Sequence, residues 1–205
     1  MTPDQLCEIL LKDLPYYEKS GGGVTFSGGE PLSQIAFVQK CCNTLRRAGI
    51  HTAMETSAFS SASVMEMTFD CIDEFMIDLK CMDDALHLQY TGQHNDRILS
   101  NIELASRHGQ HVLIRIPLIK GFSLSKENLE RTAFFLTSRT VFRTIEILKI
   151  HRLAEGKYHS LGREYCLDGL REPTEDDMED AAYVLSSHGL QVIYGEKRYG
   201  NGTEG

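Results

Sequence analysis

Three short segments of this 205-residue sequence combine glycine, hydroxyl and carboxylate groups in the manner of ligand-binding turns: Ser27-Gly28-Gly29-Glu30-Pro31-Leu32, Glu55-Thr56-Ser57 and Asp78-Leu79-Lys80. Paired glycines let the main chain approach a ligand and offer its amide donors, and Glu30 supplies an acceptor suited to an ammonium group. That combination describes recognition of an amino acid. A plain strand-to-helix turn with a carboxylate at the helix N-terminus would use the same residues. Asp78 closes the apolar run Phe75-Met76-Ile77, and Lys80, two residues on, points to the same side of a strand. Ligand contact and a solvated ion pair are both open there. Glu55 and Asp78, on successive strands, could jointly bind a cation. Arg115 interrupts the apolar run Leu113-Ile114-Arg115-Ile116-Pro117, where a guanidinium needs a carboxylate, phosphate or ligand partner. An internal salt bridge would serve equally. His151 follows an apolar strand and could hydrogen-bond a ribose or base, or be structural.

The elements that must position these groups follow from periodicity and punctuation. Thr2-Pro3-Asp4-Gln5 reads as a capped helix start, with Leu6, Ile9, Leu10 and Leu14 on one face and Gly21-Gly22-Gly23 as the stop. Further helices are predicted at 33–48, 62–69, 96–108, 126–138 and 175–188, and strands at 24–26, 51–56, 74–79, 111–117, 143–150 and 191–194. Regular alternation implies a parallel sheet with crossover helices, hence the α/β class. In such folds ligands bind beyond the carboxyl ends of the strands, where the polar groups above fall. One domain is expected over 1–194, followed by a mobile tail at 195–205. The chain opens on a helix, so a first strand is expected to be missing.

Composition narrows the function classes. The chain is 41% hydrophobic and 24% charged with a formal net charge of −8, which disfavours an extended nucleic-acid surface. It holds no apolar run of membrane-spanning length and no secretory leader pattern, so a cytoplasmic protein without membrane or nucleic-acid partners is expected. The six cysteines, at 7, 41, 42, 71, 81 and 166, form no C-x-x-C pair; reduced thiols are expected, not a zinc site.

The string from Gly21 to Leu32 closely resembles the corresponding segment of radical S-adenosylmethionine (SAM) enzymes that activate glycyl-radical enzymes, the pyruvate formate-lyase activating enzyme family. Gly49-Ile50-His51-Thr52-Ala53-Met54-Glu55-Thr56, Asp78-Leu79-Lys80, Leu113 to Phe122 and the His151 region match later family segments in the same order, so the resemblance covers nearly the whole chain. It implies a partial (βα) barrel of the radical SAM type and an oxidoreductase at family level. Carried over, Gly28, Gly29 and Glu30 correspond to the motif holding the methionyl amino group of SAM. Glu55, Thr56, Asp78, Leu79 and Lys80 fall where the family contacts the methionyl part, and Glu55, Thr56, Met76 and Asp78 where it can hold a monovalent cation. Arg115 and His151 match positions near the carboxylate or adenosyl group. Glu55-Thr56-Ser57 departs from the commoner family pattern of an acidic residue, threonine, then asparagine or cysteine.

In that family a 4Fe–4S cluster cleaves SAM, and the resulting 5′-deoxyadenosyl radical takes hydrogen from a backbone glycine of a partner glycyl-radical enzyme. A reductant such as flavodoxin or ferredoxin is implied. The cluster needs thiolates, drawn in the family from C-x-x-x-C-x-x-C, and this sequence contains no such motif. Two expectations follow: an activating enzyme truncated at its N-terminus, or a cluster-free, non-catalytic binding protein of the same descent. An α/β protein that resembles the family by chance is the third alternative. The stretch 152–173 is expected to offer a partner-contact surface.

Overall fold

A computed structural model describes residues 1–149 and 170–200. His151, Cys166 and most of the expected partner-contact stretch lie outside the described residues. By internal contacts the chain divides into two compact units, Met1–Asp78 with Asp96–Ile114, and Leu79–Asn95 with the chain from Arg115 on.

The first unit begins with α1 (Pro3–Leu10), capped as expected: Thr2 Oγ1 accepts from Gln5 N and Gln5 Oε1 accepts from Thr2 N. The helix does not run on to the glycines. It tightens into a 3-10 turn at Leu11–Asp13, and α2 (Leu14–Ser20) starts afresh. Pro15 explains the break, because it has no N–H to continue the ladder and suits only a helix's first turn. Gly21 then ends α2 at φ 67, a left-handed geometry that glycine adopts without strain. The predicted apolar face is only partly covered: Leu6, Leu10 and Leu14 are half-buried and Ile9 is 48% exposed, and the residue that α1 buries is Cys7.

Three parallel strands carry the unit. β1 (Gly23–Phe26) pairs with β2 (His51–Thr56), and β2 with β3 (Glu74–Asp78), in a register that sets Phe26 beside Met54 and Thr56 beside Ile77. Pro31–Gln34 is a 3-10 turn leading into α3 (Ile35–Arg47), so the helix expected from residue 33 is entered through a tighter turn. α4 (Ala62–Phe69) has the bounds expected for it, with Ser61 as N-cap. α6 (Asp96–Arg107) packs against α4, and α3 lies against α1. Cys41, Cys42, Leu45, Met54, Met65, Phe75, Ile77 and Ile102 make the core between helices and strands. Buried Thr52 ties β2 to the segment that leads into β3: its N–H donates to Asp73 Oδ2 at 2.7 Å and its hydroxyl to Cys71 O at 2.9 Å.

The second unit contains α5 (Asp84–Thr91), which the sequence pattern did not reveal. Its apolar periodicity is weak, and its ends are set by an Asp83 N-cap and by Gly92 at φ 74. β4 (Val112–Leu118) crosses the division between the units after Ile114. α7 (Lys126–Arg139) starts at the Ser125 cap, and its buried Asn128 accepts from Met82 N and donates to Ser123 O, both at 2.8 Å. β5 (Thr144–Lys149) pairs in parallel with β6 (Gln191–Tyr194). Within the stretch expected as a tail, a turn at Gly195, φ 57, leads to β7 (Lys197–Tyr199), antiparallel to β6. A two-residue reversal with glycine at positive φ favours a hairpin, so the chain folds back onto β6.

α8 (Glu175–Ser187) opens with a second capping box, Thr174 with Asp177. Asp177 also meets Lys120 Nζ at 2.6 Å. Lys120, followed by the Thr174 donors, holds this carboxyl down at about 2 against an ordinary 3.8. A depressed folded-state value means stability that is present above the unfolded value and disappears as the pH falls through the folded one. Asp177→Asn is therefore expected to lower stability at neutral pH, with the difference from the parent chain shrinking as the pH drops from about 4 toward 2. Urea melts of both chains across that window check it; a difference independent of pH would contradict the assignment.

Candidate cofactor-binding site

The first unit gathers its polar groups at the carboxyl ends of β1 and β2. Beyond Phe26 the main chain turns through Gly28 at φ 115, a conformation that only glycine takes readily. A Cβ built on Gly28 or Gly29 would meet nothing within 4 Å, so open space lies beside this backbone. Glu30 follows in extended conformation and half-buried. Its carboxylate accepts four hydrogen bonds. Oε1 takes the Thr56 hydroxyl at 2.5 Å and the Leu32 N–H at 3.2 Å; Oε2 takes the Ser57 hydroxyl at 2.6 Å and the Ser57 N–H at 3.0 Å. Beside it, Ser27 Oγ donates to Glu55 Oε2 at 2.6 Å.

Glu30 caps the 3-10 turn through the Leu32 N–H. Four neutral donors spread and stabilise its negative charge without cancelling it. Glu30, held by Thr56 and Ser57, and Glu55, held by Ser27, are each a carboxylate whose charge suits an ammonium group or a small cation, and the exposed glycines suit a carboxylate.

The register explains why these groups meet. Phe26 pairs with Met54, so the next residue of each segment follows side by side, which brings Ser27 to Glu55. Sequence reasoning selected Gly28, Gly29, Glu30, Glu55 and Thr56, and the structure brings these together. Ser27 and Ser57 complete the cluster as donors. The available signal was their place in the same polar turns, but which carboxylate each would meet depends on strand pairing. Asp78, half-buried, ends β3 of the same unit, with Met76 on its half-buried face.

In the second unit, Leu79 is 2% exposed and its N–H donates to Arg115 O at 2.8 Å. The Leu79 side chain belongs to the core, so any role in binding falls to its main chain. Lys80 and Arg115 are half-buried.

The profile of the Radical SAM superfamily matches residues 2–136. The chain belongs to this superfamily. Among its relatives, this radical SAM chain is 36% identical over 193 residues to the trans-4-hydroxy-L-proline dehydratase activating enzyme of Clostridioides difficile, covering 93% of this chain and 64% of that protein. It is 33% identical over 202 residues to the (2S)-3-sulfopropanediol dehydratase activating enzyme of Klebsiella oxytoca, covering 96% of this chain and 64% of the relative. The chain therefore spans slightly less than two thirds of these relatives. Among solved structures, a domain of a pyruvate-formate lyase-activating enzyme from Bacteroides vulgatus superposes with a TM-score of 0.69 at 29% identity, covering 85% of this chain and 99% of that one. The expected α/β class with parallel strands is thus the radical SAM fold.

Among the described residues, the thiols of this radical SAM chain do not fit an iron–sulfur cluster. Cys7, Cys41, Cys42, Cys71 and Cys81 are all buried. Burial, reinforced by the Cys7 thiol, pushes Cys41 up to about 12, and a hydrogen bond with Cys71 together with burial holds Cys42 protonated. Cluster ligands must be accessible thiolates, and these five thiols are all buried. Among the described residues no group of three or more His, Cys, Asp or Glu is arranged to hold a metal ion, and no helix is long and apolar enough to cross a membrane.

Proposed function

We propose that this chain is the SAM-binding portion of an activating enzyme that installs a glycyl radical on a partner enzyme. The observation that carries the proposal is the Glu30 carboxylate, held by Thr56 and Ser57 at the end of β2 beside an open diglycine turn. Glu30 receives the methionyl ammonium, and the amides of Gly28 and Gly29 face the methionyl carboxylate. Glu55, Thr56, Met76 and Asp78 supply oxygens for a monovalent cation. Lys80, the Leu79 main chain, Arg115 and His151 contact the rest of the cofactor. When bound, SAM supplies the 5′-deoxyadenosyl group; this chain's residues bind and orient it.

The relatives' names support the activating role, since each is the activating enzyme of another enzyme. The radical step needs a cluster that the described thiols do not fit. That donor set favours a second reading, a cluster-free protein that binds SAM or a glycyl-radical enzyme without activating it.

Calorimetric titration tests the shared part. SAM is expected to bind more tightly than 5′-methylthioadenosine, which keeps the adenosine and sulfur but lacks the amino-acid arm. Equal affinity, or no binding of either, would sink the SAM reading. Reconstitution with iron and sulfide separates the two versions. The chain alone is expected to gain no cluster absorbance, whereas a form preceded by a C-x-x-x-C-x-x-C segment is expected to gain it and to release 5′-deoxyadenosine under reduction. A cluster-loaded form that leaves SAM intact would favour the non-catalytic reading.

A further inference from the structure

The segment after β2 is held in an uncommon conformation. Ala58 is fully buried and sits at φ 56, the one non-glycine residue at positive φ among the described residues. A left-handed alanine costs roughly 1 kcal/mol and persists only where its surroundings enforce it. Two contacts from one face of α6 do so. Asn101, 2% exposed, donates from Nδ2 to Ala58 O at 2.8 Å and to Ser60 O at 3.1 Å. Arg97, one turn earlier, places its guanidinium 5.6 Å from the centre of the Phe59 ring.

The held segment leads straight to the carboxylate. Ala58 N donates to Thr56 Oγ1 at 2.9 Å, and that hydroxyl donates to Glu30 Oε1. Ser57, the next residue back from Ala58, gives both its N–H and its hydroxyl to Glu30 Oε2. Three of the four donors on Glu30 therefore come from the two residues immediately before the pinned alanine. The peptide joining Ser57 to Ala58 turns about the Ala58 φ, so an ordinary Ala58 conformation would withdraw the Ala58 N–H from Thr56 Oγ1 and loosen the donors that Thr56 and Ser57 give to Glu30.

We propose that Asn101 is a positioning residue: by locking Ala58 in the left-handed conformation it sets the donors that aim the Glu30 carboxylate at a ligand ammonium. The ligand half of this inference rests on the SAM reading above; the positioning half stands on the hydrogen bonds alone.

The test uses Asn101→Ala and, because that position is buried, also Arg97→Ala at an exposed residue that grips the same segment. Thermal melts first establish that each variant is folded. Hydrogen exchange at the Ser57 and Ala58 amides reads the positioning directly, and affinities for SAM and 5′-methylthioadenosine read its effect. Loss of one or two hydrogen bonds' worth of ordering predicts about tenfold faster exchange at those amides and about tenfold weaker SAM binding in Asn101→Ala, with 5′-methylthioadenosine unchanged and smaller effects of the same sign in Arg97→Ala. A merely structural role would weaken both ligands alike. Unchanged exchange at Ser57 in both folded variants overturns the proposal, as does equal loss of the two ligands. If the parent chain binds no SAM, the functional reading fails, and exchange at Ser57 still decides whether Asn101 positions Glu30. Should Asn101→Ala not fold, Arg97→Ala decides by the same two readouts.

Discussion

Glu30→Gln is expected to abolish the preference of this chain for SAM over 5′-methylthioadenosine. The substitution keeps the size of the side chain but removes the negative charge, and it turns one acceptor into an amide donor that faces the hydroxyls and amide already donating to Glu30. A hydrogen bond to a charged group is worth about 1.5–3 kcal/mol, so SAM affinity falls by about 10- to 100-fold. 5′-Methylthioadenosine has no ammonium to lose and keeps its affinity within about twofold. The same change opposes donor to donor at Ser57 or Thr56, and it costs the fold roughly 1–3 kcal/mol. Titrations of both ligands, run well below the variant's melting temperature, separate the two effects. Retention of the preference would remove Glu30 from ammonium recognition and leave it as the cap of the following turn.

Phe75→Ala is expected to be the most destabilising single change in the first unit. Phe75 is completely buried in β3, stands beside Met54 of β2 in the strand register, and meets the Phe69 ring edge-on at 6.1 Å between centroids. Truncation removes the transfer free energy of the ring and leaves a cavity that strands pinned on either side of Thr52 and Asp73 cannot close. About 3–5 kcal/mol is lost, which for a chain of this size lowers the melting temperature by on the order of 10 °C. Phe75→Leu, which keeps most of the volume, should cost about a third as much. A loss below about 1 kcal/mol for the alanine variant would show that this core relaxes around the ring and does not depend on it. Both variants should keep the SAM preference at low temperature, because the Glu30 donors come from Thr56 at the end of β2 and from Ser57 in the turn beyond it, not from Phe75.

Much of this protein could be read from local signals. Thr2 with Gln5 announces a helix start through its own side chain and caps as expected, and Ser61, Ser125 and Thr174 cap their helices in the same way. β2 and β3 declare themselves through apolar runs bounded by turn residues, and the diglycine turn before Glu30 carries its conformational requirement in its composition. Such features depend on residues three or four apart, so the sequence alone is enough. Failures of the local reading have equally local causes. Pro15 was overruled by the apolar periodicity around it, α5 had too little periodicity to show, and β7 was hidden in a short polar end whose pairing partner precedes a glycine turn.

The candidate site was legible as a set of residue types and illegible as a set of contacts. Glu30, Glu55 and Thr56 stand out because carboxylates and hydroxyls at strand ends are positioned for ligands in any parallel α/β fold. That Ser27 serves Glu55, that Ser57 and Thr56 serve Glu30, and that Asn101 governs the turn between them are facts about residues 26 to 43 positions apart. Register decides them: sliding β1 by one residue against β2 would reverse every side chain at the strand ends and hand each donor a different acceptor. Chemistry at each position was written in the sequence; which groups share a proton, and how firmly, came only from packing the strands and α6 around a common core.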